Sequence, residues 1–122
     1  MNYDSVFDKW HEECGVFGIY DRTVDVARYV YWGLFALQHR GQESAGIAVT
    51  DGHDVELKKG MGLLTEAIKE LPALPSYMGT GHVRYSTTGS NNPRNIQPLV
   101  IHYQGGQIAV AHNGNLTNAL SC

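Results

Sequence analysis

Apolar residues recur along the chain at two different spacings, and each spacing predicts a different kind of element. A spacing of three to four residues predicts a helix over residues 24–38. The apolar positions that define it are Ala27, Val30, Tyr31, Leu34 and Leu37. Asp21 and Thr23 precede the helix as its two candidate caps. Gly33 weakens a helix interior by roughly 1 kcal/mol relative to alanine, so it predicts close packing of another element on that face.

Shorter runs of alternating or continuous apolar residues predict strands. They are residues 14–20, 44–50, 54–59, 77–85, 99–103 and 107–112. The first of these strands is predicted to be buried. We expect Asp51-Gly52 to turn the second strand back onto the third, and Gly105-Gly106 to turn the fifth strand onto the sixth.

The remaining segments complete the predicted order of elements. A short helix over residues 65–71 is stopped by Pro72, residues 89–98 form a loop, and another helix begins at about residue 115. Strands and helices do not alternate, so we predict an α+β fold with mainly antiparallel sheets rather than a doubly wound parallel sheet. The sequence stops about one turn into the last helix, so we expect the fold to be incomplete at the C-terminus.

The composition narrows the class of protein. The chain has 122 residues, enough for one domain, and 43% of them are hydrophobic, as in a globular protein. Its formal net charge is −3 and it has no basic run, so nucleic acid is not an expected partner. No apolar run is long enough to span a membrane, and residues 1–13 lack the apolar segment of a secretory signal. Two cysteines are too few for a disulfide scaffold, which predicts a cytoplasmic protein.

Cys14 is the first candidate for chemistry. It starts the first predicted strand and is followed by Gly15, which lets the backbone turn and leaves a substrate room to approach the sulfur. A cysteine beside apolar residues is often only a small buried side chain. If residues 1–13 were removed, the Cys14 sulfur and a free α-amine would belong to one residue, which would give a nucleophile with its own base.

Three polar segments follow apolar elements, where a rigid scaffold usually holds a site. They are residues 37–47, 81–89 and 111–115. A solvated helix end, an exposed strand end and a simple turn would explain them singly, but together with Cys14 they fit a site better. Arg84 can bind a carboxylate through two parallel N–H donors, and the Asn113 amide and Gly114 N–H can donate to a developing oxyanion. These residues predict attack of the thiol on an acyl carbon of a small substrate that carries a carboxylate.

Four blocks of the sequence resemble the class II glutamine amidotransferases. They are Cys-Gly-Val-Phe-Gly (14–18), Leu-Gln-His-Arg-Gly-Gln-Glu-Ser-Ala-Gly (37–46), His-Val-Arg-Tyr-Ser-Thr-Thr-Gly (82–89) and His-Asn-Gly-Asn-Leu (112–116). The resemblance covers nearly all of the chain from Glu13 onward. His39 and Tyr85 look like the branch of the family that passes ammonia to phosphoribosyl pyrophosphate, because the glucosamine-phosphate synthase type usually has tyrosine and tryptophan at these two positions.

The resemblance implies an N-terminal nucleophile hydrolase fold, an αββα sandwich of two antiparallel sheets between helical layers. It implies that residues 1–13 are a leader and that residues 14–122 are the N-terminal portion of a glutaminase domain. In such a domain Cys14 attacks the side-chain amide of L-glutamine, and its freed α-amine serves as the base. The amide nitrogen that joins Glu13 to Cys14 has no such basicity, so the base is absent until the leader is cleaved.

The family pattern also implies roles for five other residues of this sequence. Arg84 would bind the carboxylate of glutamine, and Asn113 and Gly114 would form the oxyanion hole. Arg40 would support the site, and Gly15 would leave space beside the sulfur. The sequence stops before the aspartate that binds the substrate α-amine in this family, so we expect the isolated chain to have little or no glutaminase activity.

The acceptor reaction is implied by the resemblance alone. Ammonia would displace pyrophosphate from phosphoribosyl pyrophosphate in a second domain that these 122 residues lack, giving phosphoribosylamine for purine synthesis. That domain would hold Mg²⁺, and the full protein could carry an iron–sulfur cluster, as some relatives do. No cofactor is expected within these residues. A homo-oligomer is expected for the full protein.

Three alternatives stay open from the sequence. The chain could be a non-catalytic fragment or interaction module, since an incomplete sheet leaves unpaired strand edges. It could be the glutaminase part of another class II amidotransferase. A cysteine–histidine hydrolase would use His39, His82 or His112 as its base, and it would be active with residues 1–13 attached. None of the six histidines stands at a recognised metal-ligand spacing from another ligand, so no metal site is predicted.

Overall fold

The described residues form six strands and two α-helices. In this computed structural model of the protein they are residues 15–38, 42–85 and 93–112. In chain order the elements are β1 (Gly15–Tyr20), α1 (Val26–Leu37), β2 (Gln42–Thr50), β3 (Val55–Met61), α2 (Leu64–Ala67), β4 (Met78–Tyr85), a 3-10 turn (Pro93–Asn95), β5 (Leu99–Tyr103) and β6 (Gly106–Val110). The boundary predicted between residues 13 and 14 and the helix predicted from residue 115 lie outside these ranges.

Four strands form one antiparallel sheet in the order β1-β4-β2-β3. In this sheet Gly15 of β1 lies opposite Val83 of β4, and Val83 in turn lies opposite Ala45 of β2. The strands β5 and β6 form a separate two-stranded antiparallel sheet. Every strand pairing among the described residues is antiparallel, which confirms the predicted α+β class with antiparallel sheets.

Helix α1 covers one face of the four-stranded sheet, called here the helix face. A Cβ on Gly81 of β4 would stand 2.6 Å from Val30 Cγ1 and 2.7 Å from Leu34 Cδ1, so the glycine lets the helix approach the sheet closely. Gly33 of α1 packs in the same way against the ring of Phe17, which confirms the packing predicted for it. The buried core on this face includes Val26, Ala27, Val30, Leu34, Ala45, Ile47, Val49, Val83 and Tyr85.

The β5–β6 hairpin and the loop before it cover the opposite face of the sheet, called here the inner face. A Cβ on Gly46 of β2 would overlap the main-chain oxygen of Gln97 in that loop, so the loop lies directly on the strand. The backbone N–H of Val55 donates to Gln107 Oε1 of β6 at 3.1 Å. Helix, four-stranded sheet and two-stranded sheet are therefore three successive layers of the predicted αββα sandwich.

Helix α1 lies within the predicted range, but its cap differs from both candidates. Asp25 caps the helix by accepting the backbone N–H of Arg28 at 3.4 Å. Asp21 instead accepts the backbone N–H and the hydroxyl of Thr23, at 2.7 and 2.6 Å. The predicted caps were wrong because Asp21 and Thr23 satisfy each other in a separate turn before the helix begins.

Helix α2 is shorter than predicted. It ends at Ala67, and Ile68 is already extended, with φ −119° and ψ 91°. Ile68 is buried against the core, and Leu64 at the start of the helix is fully buried. Leaving the helix early lets the chain bring both side chains into one core, so tertiary packing overrides the helical spacing of residues 65–71.

Strand β1 is not buried along its length, which corrects the prediction for residues 14–20. Its residues alternate between half-buried and exposed, from Gly15 to Tyr20. Among the described strands it lies at one edge of the sheet, and the residues on its inner face are the exposed ones. The other predicted strands form, and the hairpins predicted at Asp51-Gly52 and Gly105-Gly106 both connect antiparallel pairs.

Candidate active site

Polar residues gather on the inner face at the end of the sheet where β4 finishes and β2 begins. Ser44 of β2 lies opposite Arg84 of β4, and Gly46 lies opposite His82. Alternation of side chains along a strand puts Arg84 and His82 on the same face, away from α1. All three polar side chains are buried, with 2% of Ser44, 1% of His82 and 8% of Arg84 exposed. A buried polar cluster between two sheets is a place where electrostatic interactions are strong.

Arg84 is a buried cation with unused hydrogen-bonding capacity. The ion pairs among the described residues are Arg28–Asp25 and Lys58–Glu56, so no carboxylate in these ranges pairs with Arg84. Its Nε makes no hydrogen bond to any described residue. Burying an unpaired charge is strongly unfavourable. The arrangement therefore suits an arginine that receives an anionic group, and a carboxylate fits its planar donors.

His82 is held in its neutral form. The pKa of its imidazole is lowered to about 4, mainly by burial and also by the charges of His112 and Arg84, while the backbone of His112 acts in the opposite direction. An imidazole with such a pKa is a weak base at neutral pH. This argues against His82 as the base of a cysteine–histidine hydrolase, one of the alternatives that the sequence left open.

The loop before β5 connects this cluster to the end of β6. The Oε1 atom of Gln97 accepts the backbone N–H of His112 at 2.7 Å. Gln97 is 3% exposed, and its main-chain oxygen lies against Gly46. The preceding carbonyl, of Ile96, accepts a hydrogen bond from Lys59 Nζ at 3.1 Å. His112 immediately precedes Asn113 in the sequence, so this loop binds the residue next to the predicted oxyanion donors.

The two ends of the Gln-His-Arg-Gly-Gln segment are anchored by their own glutamines. Gln38 Oε1 accepts the backbone N–H of Leu64 at 3.2 Å, and Gln42 Nε2 donates to the carbonyl of Gly62 at 3.1 Å. The first bond attaches the segment to the first residue of α2, and the second attaches it to the turn before α2. Residues 39–41 lie outside the described ranges, but the structure thus shows how the chain on either side of them is held.

The structure describes two of the six residues to which the sequence assigned roles, Gly15 and Arg84. Cys14, Arg40, Asn113 and Gly114 lie outside the described residues, so their roles stay predictions. Gly15 begins β1, and Arg84 is the next-to-last residue of β4. Because Gly15 lies opposite Val83, β1 begins at the same end of the sheet as Arg84.

Gly15 has a packing reason to be glycine. A Cβ at this position would stand 2.9 Å from Val83 Cγ2 and 3.2 Å from Leu37 Cβ. The side of Gly15 that would carry a side chain therefore packs against β4 and the end of α1. Close packing between β1, β4 and the end of α1 therefore excludes a larger side chain. The other role implied for Gly15, space beside the sulfur of Cys14, stays a prediction.

Sequence reasoning missed Gln97 and Gly46 as parts of this region. Gln97 falls in a segment that was predicted only as a loop, and Gly46 falls in a strand rich in small residues. Two signals were present: a glycine inside an otherwise apolar strand often marks close backbone approach, and a glutamine before Pro98 is an unusual residue to bury. Neither signal names its partner, because the partners are 15 and 51 residues away in the chain.

A cavity of about 680 Å³ lies elsewhere between the two sheets. Its lining includes Gly18, Ala48, Thr80, Gln107 and Ala109, and it has no acidic or basic side chain. It lies toward the opposite end of β4 from Arg84, so it offers space but no chemistry. Within the described residues no group of three histidine, cysteine or acidic side chains could hold a metal ion. No helix in those ranges is long and apolar enough to cross a membrane.

Curated proteins similar to this chain share one name. The chain is 52% identical over 109 residues to the amidophosphoribosyltransferase of Methanocaldococcus jannaschii, covering 87% of this chain and 23% of that protein. It is 50% identical over 115 residues to the amidophosphoribosyltransferase of Synechococcus elongatus, covering 93% of this chain and 23% of that protein. The chain thus spans about a quarter of the length of these relatives.

Solved structures agree with these relatives. The glutamine phosphoribosylpyrophosphate amidotransferase from B. subtilis, complexed with ADP and GMP, superposes with a TM-score of 0.62 at 38% identity, over 81% of this chain and 21% of its own. A structure described as the allosteric regulatory enzyme of purine biosynthesis superposes with a TM-score of 0.65 at 42% identity, over 77% of this chain and 21% of its own. The antiparallel sheets and helix match the N-terminal nucleophile hydrolase fold of these enzymes, in part.

The family match covers the polar cluster. Residues 38–121 match the family described as class II glutamine amidotransferases. The matched range includes Gln38, Gln42, Arg84, Gln97 and the end of β6. Together with identities of about 50% to named relatives over most of its length, this match shows that the chain belongs to the class II glutamine amidotransferases.

Proposed function

We propose that this chain is the front part of the glutamine-hydrolysing domain of an amidophosphoribosyltransferase. The observation that carries the proposal is Arg84, a buried cation with no carboxylate partner among the described residues, at the end of the sheet where β1 begins. Glutamine is a substrate with one free carboxylate and one hydrolysable amide, which is the pair of groups that Arg84 and Cys14 would engage. The similarity to amidophosphoribosyltransferases supports this choice of substrate.

The proposed reaction has two steps. The α-amine of Cys14, freed by removal of residues 1–13, takes the thiol proton as the sulfur attacks the amide carbon of glutamine. The negative oxygen of the tetrahedral intermediate is stabilised by Asn113 and Gly114. The protonated amine then gives its proton to the leaving nitrogen, releasing ammonia and leaving a thioester. Water attacks the thioester, its proton returns to the sulfur through the same amine, and glutamate leaves.

The α-amine is suited to this task. An α-amine has a pKa of about 7.7–8.0, so part of it is free base near neutral pH and its conjugate acid can protonate the leaving nitrogen. With a pKa of about 4, His82 is a much weaker base than this amine. The proposal therefore requires Cys14 to be the first residue of the working enzyme.

The acceptor reaction is proposed from the relatives alone. In the full protein, ammonia would displace pyrophosphate from phosphoribosyl pyrophosphate and form phosphoribosylamine. The expectations of Mg²⁺ in the acceptor domain, of an iron–sulfur cluster, of a homo-oligomer and of a cytoplasmic location stay predictions.

Replacing Arg84 in the full-length protein tests the carboxylate-binding role. We expect Arg84→Lys, which keeps the charge but loses the two parallel donors, to raise KM for glutamine by about 10- to 100-fold, the equivalent of a hydrogen bond to a charged group. Synthesis of phosphoribosylamine from an ammonium salt should be unchanged, because ammonia bypasses the glutamine site. The measurement is steady-state kinetics with each nitrogen donor.

Arg28→Lys is the matched control, since Arg28 is an exposed arginine on α1. Both nitrogen donors should give the same rates with this variant as with the unmodified protein. Equal losses with glutamine and ammonium salt in Arg84→Lys would contradict the proposed role. The intact mass of the active protein shows whether residues 1–13 have been removed. Glutaminase activity with these residues still attached would contradict the proposed base and favour a cysteine–histidine hydrolase.

A further inference from the structure

Gln97 forms a hydrogen bond between the loop before β5 and the segment that follows β6. Its Oε1 atom accepts the backbone N–H of His112 at 2.7 Å, and the bond is shielded because Gln97 is only 3% exposed. Strand β6 ends at Val110, so the sheet ladder no longer holds the chain at His112. The Gln97 side chain supplies a hydrogen bond at the point where the strand has stopped.

The loop that carries Gln97 is itself held by the four-stranded sheet. The main-chain oxygen of Gln97 packs against Gly46 of β2, where no side chain would fit. The adjacent carbonyl of Ile96 accepts a hydrogen bond from Lys59 of β3 at 3.1 Å. Pro98 is fully buried. Gln97 is therefore held by β2 and β3, and its hydrogen bond holds His112 at a fixed position relative to these strands.

The backbone of His112 also lies near the imidazole of His82 and acts to raise its pKa. Neither ring nitrogen of His82 makes a hydrogen bond to a described residue, so the hydrogen bond to the backbone of His112 comes from Gln97. His112 is followed by Asn113 and Gly114, the proposed donors of the oxyanion hole.

Oxyanion donors act only when they are placed accurately. Removing one donor lowers kcat by about 10²- to 10³-fold, and a misplacement of about 1 Å can reduce the rate by a similar factor. We infer that Gln97 is a positioning residue of the glutaminase site, whose side-chain oxygen fixes the backbone of His112 and thereby the two donors that follow it. This inference rests on the proposed function, because it assigns Gln97 to the same reaction.

A positioning role and a purely stabilising role of Gln97 predict different defects when its side chain is changed. Lost packing would lower the free energy of unfolding and leave the rate of the folded fraction unchanged. Lost positioning would lower kcat, while KM for glutamine would change little, because the carboxylate of glutamine is bound by Arg84 at a different point. A covalent aldehyde analogue of glutamine gives a second measure, since its thiohemiacetal oxygen occupies the place of the oxyanion.

The test compares two substitutions at this position in the full-length protein. Gln97→Met keeps the length of the side chain and removes the acceptor, whereas Gln97→Glu keeps an acceptor oxygen. We expect Gln97→Met to lower kcat for glutaminase by 10- to 100-fold with KM within about twofold, and to weaken binding of glutamate γ-semialdehyde by a similar factor. We expect Gln97→Glu to retain at least tenfold more activity than Gln97→Met.

Val49→Ala is the control for stability. Val49 is buried on the helix face near the other end of β2, opposite Gly79. It should lower the melting temperature at least as much as Gln97→Met without lowering kcat of the folded protein. A folded Gln97→Met variant with unchanged kcat, or with a raised KM as its only defect, overturns the inference, and so does a Gln97→Glu variant no better than Gln97→Met.

Hydrogen exchange in the unmodified protein tests the bond directly, even if Gln97→Met does not fold. The amide proton of His112 should exchange slowly although it lies beyond the last strand residue, and exchange at the rate of an open loop overturns the inference. Absence of glutaminase activity in the unmodified protein would overturn the proposed function and this inference together. An active unmodified protein with a fully active Gln97→Met variant would overturn the inference alone.

Discussion

At the scale of single residues, two basic side chains share one buried face of β4. Arg84 and His82 are two residues apart, so both point to the inner face, and both are almost completely buried. Two positive charges in such a place would repel each other at close range. The neutral state of His82 relieves this repulsion, so Arg84 is the charged member of the pair.

The buried imidazole predicts how stability depends on pH. The pKa of His82 is about 4 in the folded protein and about 6.5 in the unfolded chain. Above pH 6.5 the ring is neutral in both states and contributes no pH dependence. As the pH falls from 6.5 towards 4, the unfolded chain takes up the proton first, so the free energy of unfolding decreases. The gap between the two pKa values corresponds to a loss of about 3 kcal/mol.

Urea unfolding of the 122-residue chain at pH 7 and at pH 4.5, followed by tryptophan fluorescence, measures this loss. We expect His82→Gln to reduce the difference between the two pH values. His53→Gln replaces an exposed histidine and should leave the difference unchanged. If both variants lose the same stability on acidification as the unmodified chain, His82 is not the group responsible.

At the scale of elements, side-chain hydrogen bonds join the end of α1 to β4 and to the first residue of α2, and they join the start of β2 to the turn before α2. The hydroxyl of Tyr85, at the end of β4, donates to the carbonyl of Leu37 at 2.7 Å. Gln38 accepts the backbone N–H of Leu64, and Gln42 binds Gly62. The last carbonyls of a helix have no partner within the helix. Tyr85 satisfies one of them and fixes where the chain leaves α1.

The Tyr85 hydroxyl therefore predicts a measurable defect on its removal. Tyr85→Phe leaves the carbonyl of Leu37 without this partner in a part-buried place, and we expect the free energy of unfolding to fall by about 1 kcal/mol. Because residues 39–41 follow this helix end, we also expect a loss of several-fold in glutamine-dependent activity of the full-length protein. Thermal unfolding and glutaminase assays measure the two effects.

Tyr103→Phe is the matched control, since Tyr103 is 54% exposed at the end of β5. It should leave both stability and activity close to those of the unmodified protein. An unchanged melting temperature in Tyr85→Phe would mean that the hydroxyl contributes nothing to the junction between α1 and β4.

At the scale of the whole molecule, the two-stranded sheet has one covered face and one open face. Its outward side chains are apolar and 39–54% exposed; they are Leu99, Ile101, Tyr103, Ile108 and Val110. Ile101 and Ile108 lie directly opposite each other across the strands, so these side chains form one continuous patch. A two-stranded sheet is marginally stable alone, and an apolar patch of this kind favours association.

The patch predicts how the 122-residue chain behaves when it is purified. We expect it to bind the dye ANS and to elute as a mixture of associated species, because the patch is open to solvent. Ile101→Lys should lower the dye fluorescence and increase the monomer fraction. Size-exclusion chromatography with light scattering provides the measurement.

Leu63→Lys adds the same charge at another exposed apolar residue, 45% exposed in the turn before α2. It should change dye binding and association little, which separates the effect of the patch from that of net charge. An unmodified chain that elutes as a monodisperse monomer and binds no dye would contradict the prediction.

The differences between the predicted and observed elements arise from the tertiary structure. Helix α1 lies within its predicted range, though not with its predicted cap, because its apolar spacing extends over several turns and agrees with the close packing at Gly33. The short helix was predicted too long because Ile68 leaves it to reach the core, and β1 was predicted to be buried although it lies at a sheet edge. Ile68 follows a tertiary contact rather than its local preference, and the exposure of β1 follows from its place in the sheet, which its own sequence does not specify.

The sequence alone determined the antiparallel α+β class, the main helix and the membership of the family, because these depend on local spacing and on motifs that stay in order along the chain. It also identified Arg84 as a candidate site residue, because its place at the end of an apolar strand can be recognised without a structure. Only the tertiary structure decided that His82 is neutral, that Gly46 must be glycine and that Gln97 binds His112. These properties arise from burial and from contacts across tens of residues, and no local pattern specifies which distant groups will meet.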